Sequence, residues 1–148
     1  MTLKRSIFIA GLCGLALVGA GCGDDDDNGA LSYDDTGTRI GEICDTVKFD
    51  GLTGKPASDA PLLEQVVPDF EQAIEDIRAL EVAEELETDR DAFADNAEQQ
   101  LAIIKEAQTL AEEGDQKAYR AKLDESAPLD KESDAIASRL GAVACTDE

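Results

Sequence analysis

Residues 83–113, AEELETDRDAFADNAEQQLAIIKEAQTLAEE, are the stretch that decides the fold. Its apolar residues recur every three or four positions and therefore share one side of a helix. They are Leu86, Phe93, Ala97, Leu101, Ile104 and Leu110 or Ala111. The other faces are almost all Glu, Asp, Gln and Asn. The stretch predicts one long amphipathic helix that Gly114 ends, with Asp115 placed to cap the next helix.

A short helix is predicted upstream of this stretch. Thr36 or Thr38 can cap its start. Three- and four-residue spacing puts four residues on its apolar face, namely Ile40, Ile43, Cys44 and Val47. A loop is predicted next, over residues 49–61, because this stretch is rich in glycine, proline and serine.

A second helix is predicted from Pro61 to about Leu80, with Ser58 or Asp59 as its cap. Pro68 lies inside it, and an internal proline kinks or restarts a helix. The helix therefore begins either at Pro61 or at Val67.

The last helical segment covers residues 116–140, with a break at Ser126-Ala127-Pro128. Gly141 is placed as a left-handed cap. The connections are short and no strand-like alternation is present. The sequence therefore predicts an all-α protein, a small antiparallel bundle of about four helices over residues 36–148.

The beginning of the chain has the layout of a secretory signal peptide. Lys4 and Arg5 precede an apolar run over residues 7–20, which leads into LVGAGCGDDDD at residues 17–27. The junction resembles the lipobox of bacterial lipoproteins, which ends at a lipidated cysteine, although Gly19 stands where the pattern prefers Leu. The resemblance implies that residues 1–21 are removed and that Cys22 carries diacylglyceryl and N-acyl groups such as palmitate. It also implies a cell-membrane protein that faces the extracytoplasmic side.

Two alternatives remain open for this leader. A transmembrane anchor needs about 20 apolar residues, whereas the run over residues 7–20 is shorter and four aspartates follow it closely. Ordinary signal peptidase could instead cut after Ala20, which would release a soluble protein with Cys22 near its new terminus.

The cysteine count supports lipidation. Of the four cysteines, Cys13 leaves with the leader and Cys22 is acylated, so Cys44 and Cys145 remain as a pair in an oxidising compartment. Their disulfide would join the first helix to the C-terminus. The chain-entropy model values a loop of about 100 residues at about 4.7 kcal/mol. Two unpaired thiols are the alternative, whereas two cysteines without histidine cannot complete a zinc site.

Residues 22–35 are predicted to be a flexible acidic tether. The run DDDDNG at residues 24–29 also matches the opening of an EF-hand calcium loop. Its candidate ligands are Asp24, Asp26, Asn28 and Asp35. No entering helix can precede this loop, and Asp35 is shorter than the usual bidentate Glu, so a spacer without metal is the preferred interpretation.

Composition limits the partners. The formal net charge is −21, which repels nucleic acid and anionic lipid headgroups. We therefore expect no nucleic-acid partner, and membrane contact through the acyl chains alone. Four Phe, two Tyr and no Trp argue against an aromatic-lined platform for sugars or nucleotides.

The mature part resembles a group of small actinobacterial secreted or lipid-anchored helical proteins. The resemblance is carried by a cysteine in the opening helix, the Gly114-Asp115 break, and Ser138-Arg139-Leu140-Gly141 followed by Cys145. This chain lacks the prolines that such proteins often carry between helices, near Val82. The resemblance implies fold and export, not activity.

Catalytic residues are scarce. The chain has no histidine and no free cysteine is expected in the mature form, so the usual bases and nucleophiles are missing. The helical acids are predicted to form a solvated face, and they are Glu71, Glu75, Glu84, Glu85, Asp89, Asp91 and Asp95. No enzyme activity and no cofactor beyond the lipid are expected.

Two functional hypotheses follow. The first is a non-enzymatic envelope lipoprotein that acts as an interaction or structural module, with another envelope protein as a candidate partner. The second is a lipoprotein that captures a cation or a small cationic solute for a transporter.

Overall fold

The structure is a computed structural model that describes residues 29–49 and 51–146. It contains five α-helices: α1 (Tyr33–Cys44), α2 (Pro56–Arg78), α3 (Glu84–Glu113), α4 (Gln116–Asp124) and α5 (Ala127–Arg139). A short 3-10 helix, Val143–Cys145, follows them. Within the described ranges, β-type pairing is limited to a single bridge between Leu31 and Val82. The predicted all-α class is confirmed.

Helix α3 is the axis of the bundle, and its neighbours run antiparallel to it. On the α2 side, Lys105 pairs with Glu71. Arg78, further along α2, pairs with Asp95 and Glu98, which precede Lys105 in α3. On the side of α3 that faces α4 and α5, Lys122 of α4 pairs with Glu106, and Arg139 of α5 pairs with Asp89. In both cases residue numbers rise along one helix as they fall along the other. The predicted antiparallel bundle is therefore confirmed, with α4 and α5 together forming the third long element.

Helix α1 begins earlier than predicted. Its cap is Ser32, whose hydroxyl accepts a hydrogen bond from the Asp35 backbone N–H at 3.3 Å, and not Thr36 or Thr38. The chain just before it is held by backbone bonds at Leu31, which donates to Glu81 and accepts from Ala83. These contacts lie between segments distant in sequence. Residues 31–35, expected to belong to the tether, are therefore part of the folded domain.

Helix α2 also begins earlier than predicted, at Pro56, and continues through Pro61 and Pro68. A start at Pro61 or Val67 is therefore wrong. Each proline removes one backbone hydrogen bond, but both lie on the exposed side of the helix. The opposite side buries an apolar stripe formed by Leu63, Val66, Phe70, Ala73, Ile74 and Ile77. Packing of this stripe offsets the lost hydrogen bonds and keeps the helix continuous.

The other predicted boundaries are close to the observed ones. Gly114 ends α3 in the left-handed conformation at φ 73°, and the Asp115 carboxylate accepts from the Ala118 N–H and caps α4. The predicted break separates α4 from α5. Gly141 has φ 72°, as expected for the left-handed residue that ends a helix.

The core runs along the bundle in three clusters. At one end, residues of α1, α2, α3 and the turn after α5 meet, including Ile40, Ile77, Phe93 and Leu140. We call this the disulfide end. The middle cluster is Phe70, Ile74, Ala97 and Leu101. At the other end, which we call the aspartate end, Asp59 lies beside a cluster formed by Leu63, Ile104, Ala107, Ala111 and Tyr119.

The disulfide between Cys44 and Cys145 is confirmed, with a Cα–Cα distance of 5.7 Å. It joins the last residue of α1 to the 3-10 helix near the C-terminus, 101 residues later. Beside it, α1 lies directly on the turn after α5. A Cβ atom added at Gly37 would meet the Gly141 carbonyl group at 2.5 Å. Glycine is therefore required at position 37 for this close backbone contact.

Candidate functional site

A half-open groove lies next to the disulfide. Its volume is about 310 Å³. The floor is made by α2 and α3, and the walls by the end of α1 with its following loop, by α5 and by the C-terminal turn. The groove exists because α1 and α5 pack on α2 and α3 at the disulfide end without closing over the middle cluster.

Three phenylalanines from distant parts of the chain line this groove. They are Phe49 in the loop after α1, Phe70 on α2 and Phe93 on α3. Phe49 packs edge-on against Phe70, with ring centroids 5.6 Å apart, and it is 37% exposed. Since the chain has four phenylalanines in all, three quarters of them converge here. Composition alone did not indicate this convergence, because it counts residues without their positions; the prediction against a sugar or nucleotide platform stays a prediction.

The wall formed by α5 is polar. Asp130, Ser133 and Asp134 are at the spacing that places side chains on one helix face, all three are half-buried, and all line the groove. Asp130 also accepts a hydrogen bond from the Ser126 hydroxyl at 3.2 Å. Gln100 of α3 lies on the same side. Among the described residues that line the groove there is no lysine or arginine, but Asp130 and Asp134 both have interaction partners within the protein.

The aspartate end contains a buried carboxylate. Asp59 is fully buried, and its Oδ1 accepts hydrogen bonds from the backbone N–H and the hydroxyl of Thr53, both at 2.9 Å. Its Oδ2 accepts from the Lys55 N–H and from the Tyr119 hydroxyl, both at 3.0 Å. Asp59 was predicted only as a cap for α2. Asp59 lies inside α2. Its hydrogen bonds connect the preceding loop and helix α4 to α2.

The environment of Asp59 keeps it ionised. Burial alone raises the pKa of Asp59, but the hydrogen bonds from Thr53, Tyr119 and Lys55 outweigh burial and lower the pKa below its ordinary value. Burial, and then the hydrogen bond to the Asp59 carboxylate, raise the pKa of Tyr119. All four donors are already committed to this carboxylate. We assign the pair a structural role.

The helical acids singled out from the sequence lie on the surface. Six of the seven are exposed and Asp89 is half-buried. Several take part in ion pairs between helices: Glu71 with Lys105, Asp89 with Arg139, and Asp95 with Arg78. Hydrogen bonds to Glu98 and Asp95 raise the pKa of Arg78. The structure does not bring these acids together with the groove.

The remaining predicted site residues are mostly outside the described ranges. The leader over residues 1–21, the lipidation residue Cys22 and the calcium candidates Asp24, Asp26 and Asn28 fall there, so lipidation and the calcium loop stay predictions. Asp35 is in the first turn of α1 and accepts a hydrogen bond from the Ser32 hydroxyl at 2.6 Å. Elsewhere in residues 29–49 and 51–146, no group of three His, Cys, Asp or Glu side chains is arranged to hold a metal ion. Nor does any helix in those ranges have the length and apolar character needed to cross a bilayer.

Comparison with known proteins gives no relative. No protein family model, no curated protein and no solved structure matches this chain. Two features of the molecule itself therefore bear on its function, namely the disulfide and the groove beside it.

Proposed function

We propose that this chain is a non-enzymatic lipoprotein of the cell envelope, anchored in the membrane through acyl groups on Cys22. Its helical bundle faces the extracytoplasmic side and acts as an interaction or structural module, with another envelope protein as partner. The observation that supports this most is the disulfide between Cys44 and Cys145. Disulfides persist in exported proteins and are rare in the reducing cytosol.

The position of the first folded residues adds to this proposal. Eight residues lie between Cys22 and Leu31, and a fully extended chain over those nine Cα–Cα steps reaches about 30 Å. Leu31 is bonded to the connection between α2 and α3, at the disulfide end. An anchor at Cys22 would hold that end near the membrane. The aspartate end would then project away from it, since α3, with 30 residues, is about 45 Å long.

The surface also suits an interaction module. Several of the exposed acids on α2 and α3 are paired with basic residues of neighbouring helices. Exposed ion pairs contribute little to stability, at about 0 to 1 kcal/mol each. These charged residues contribute more to solubility and to selecting which charged partners can approach the surface.

The anchoring proposal is tested by labelling growing cells with a palmitate analogue. The wild-type chain should be labelled and found in the membrane fraction, and Cys22→Ser should lose both properties. Cys13→Ser, a cysteine substitution within the leader, is the matched control and should keep the label. A labelled Cys22→Ser chain would show that the lipid is elsewhere or that the leader itself holds the protein in the membrane.

A second candidate function is favoured by the groove. A lipoprotein that captures a cation or a small cationic solute for a transporter needs a concave site, and the groove of about 310 Å³ beside the disulfide is one. A thermal-melt screen against metal ions, polyamines and amino acids distinguishes the two candidates. Under the second, a ligand raises the melting temperature because it binds only the folded state; under the first, none does.

A further inference from the structure

We infer that the disulfide end of the bundle contacts the lipid surface directly, with the side chains of Tyr33 and Val143 inserted among the lipid headgroups. This inference rests on the proposed lipid anchor at Cys22 and adds a second contact with the membrane, whereas the sequence predicts contact through the acyl chains alone. The anchor and the second contact have separate readouts, so each can fail without the other being mistaken for it.

Exposed apolar side chains are concentrated at the disulfide end. Within the described ranges, three large apolar side chains are exposed: Tyr33 at 48%, Phe49 at 37% and Val143 at 73%. Phe49 packs on Phe70 at the middle of the bundle. Tyr33 is the first residue of α1 and Val143 the first residue of the 3-10 helix, and both segments belong to the disulfide end.

Tyr33 and Val143 share the turn that follows α5. The Tyr33 ring lies on Gly141, since a Cβ atom added there would be 3.0 Å from the ring atom Cε1. The Tyr33 hydroxyl donates a hydrogen bond to the Ser138 carbonyl at 3.3 Å. Val143 comes two residues after Gly141, and the intervening Ala142 is fully buried whereas Val143 is exposed. We call Tyr33 and Val143 the apolar pair.

The position of the anchor selects which end of the bundle meets the membrane. Leu31, at the disulfide end, is separated from Cys22 by eight residues, which reach at most about 30 Å. Helix α3 has 30 residues and is therefore about 45 Å long. With the aspartate end on the membrane, Leu31 would be farther from the surface than the chain from Cys22 can reach. The anchor therefore favours the disulfide end, where Tyr33 is two residues from Leu31.

The apolar pair suits the headgroup region. Tyrosine is enriched at membrane interfaces because its ring is apolar and its hydroxyl is polar. The Tyr33 hydroxyl already has the Ser138 carbonyl as acceptor, so the ring can leave water without an unpaired donor. Two side chains alone bind a membrane weakly. The anchor makes their contact intramolecular, so a weak affinity is sufficient.

The acids beside the apolar pair limit the depth of insertion and the class of lipid. Asp34 and Glu81 are exposed at the same end, and their carboxylates must stay in water. Anionic headgroups repel them, whereas zwitterionic headgroups carry no net charge. The expected partner is therefore a zwitterionic lipid surface, with the pair inserted no deeper than the headgroups and the first part of the acyl chains.

Tryptophan fluorescence tests this contact, because the chain has no tryptophan of its own. Tyr33→Trp and Val143→Trp place the probe in the apolar pair, and Ala121→Trp, at an exposed position of α4, is the control near the aspartate end. Each full chain, with its lipid verified by intact mass, is reconstituted in phosphatidylcholine vesicles that carry bromine atoms high in the acyl chains. Bromine should lower the emission of both pair probes at least about twofold relative to unbrominated vesicles, and that of Ala121→Trp by less than about 10%.

A second substitution shows whether the pair acts together. Adding Val143→Asp to Tyr33→Trp should abolish the quenching, because a carboxylate on the same turn keeps that surface in water. Adding Ala121→Asp to Tyr33→Trp introduces the same charge on α4 and should leave the quenching unchanged.

Three results would overturn the inference. Lipidated chains without quenching at Tyr33→Trp and Val143→Trp would show that the disulfide end stands away from the membrane, and the anchoring proposal would be unaffected. Equal quenching of Ala121→Trp would show that the bundle lies along the membrane. Equal loss of quenching with Val143→Asp and Ala121→Asp would remove the role of the pair. An intact mass without lipid would instead overturn the anchoring proposal, and this inference with it.

Discussion

The two ends of the bundle are closed by different chemistry. At the disulfide end, a covalent bond between Cys44 and Cys145 and the close contact of Gly37 with Gly141 hold α1 in place. At the aspartate end, a buried carboxylate with four hydrogen bonds holds the loop before α2 and helix α4. The first end should respond to reductant and not to pH. The second should respond to pH and not to reductant.

Removing the disulfide is expected to have the largest effect. Cys44→Ser with Cys145→Ser should lower the free energy of unfolding by about 4.7 kcal/mol, the chain-entropy value for a loop of about 100 residues. Urea denaturation measures this, and the wild-type chain in reductant should give the same value. A loss below about 1 kcal/mol would mean that packing alone holds α1 at the disulfide end.

Removing the charge of Asp59 is the corresponding change at the aspartate end. In Asp59→Asn an amide N–H₂ replaces one oxygen and faces donors that then lack an acceptor, so the free energy of unfolding should fall by about 3 kcal/mol. Tyr119→Phe removes one of the four hydrogen bonds and should cost about 1.5 kcal/mol. Asp69→Asn, at an exposed position of the same helix, is the matched control and should stay within about 0.5 kcal/mol of wild type.

Gly37→Ala tests the backbone contact beside the disulfide. The new Cβ would overlap the Gly141 carbonyl group at 2.5 Å, and the strain of such overpacking should cost about 2 kcal/mol. Gly41→Ala, one turn later in α1, is the control, because its Cβ would be 3.2 Å from a single side-chain atom, the Cβ of Ala144. That substitution should remain within about 1 kcal/mol of wild type, since alanine also favours the helix. Equal effects of the two substitutions would contradict a required contact at position 37.

The pH dependence should be the smallest effect, because it removes only part of what Asp59 contributes. The folded-state pKa of Asp59 is lower than its ordinary value of 3.8, so its contribution is complete above that pH and is lost as the pH falls towards the folded-state pKa. Urea denaturation should show a constant difference in the free energy of unfolding between wild type and Asp59→Asn from pH 7 to about pH 5. Below about pH 4 this difference should be smaller. The loss of unfolding free energy caused by the two cysteine substitutions should stay constant over the same pH range. A difference between wild type and Asp59→Asn that does not change with pH would show that Asp59 is not the charged group at this end.

Local signals in the sequence predicted the features that depend on neighbouring residues. The extent of α3 follows from its apolar stripe and from Gly114, and the break before α5 follows from Pro128. The disulfide followed from counting cysteines. Each of these depends on a few residues that are close together or on a count.

Features that depend on distant residues were missed or misplaced. The rules that stop a helix at Pro61 or Pro68 do not include the packing of α2 on α3, which keeps the helix continuous. Asp59 was given the role of a cap because its partner Tyr119 is 60 residues away. The groove could not be foreseen, since its phenylalanines belong to a loop and two helices. The spacing of Asp130, Ser133 and Asp134 was the one local signal for its polar wall.

We propose that the protein is an exported, lipid-anchored bundle closed by one disulfide, and the intact mass of the chain purified from its native membrane is the decisive measurement. We expect a mass that lacks residues 1–21, includes diacylglyceryl and N-acyl groups, and rises by two hydrogens on reduction. A mass that retains the leader, or that shows Cys22 unmodified, would contradict it.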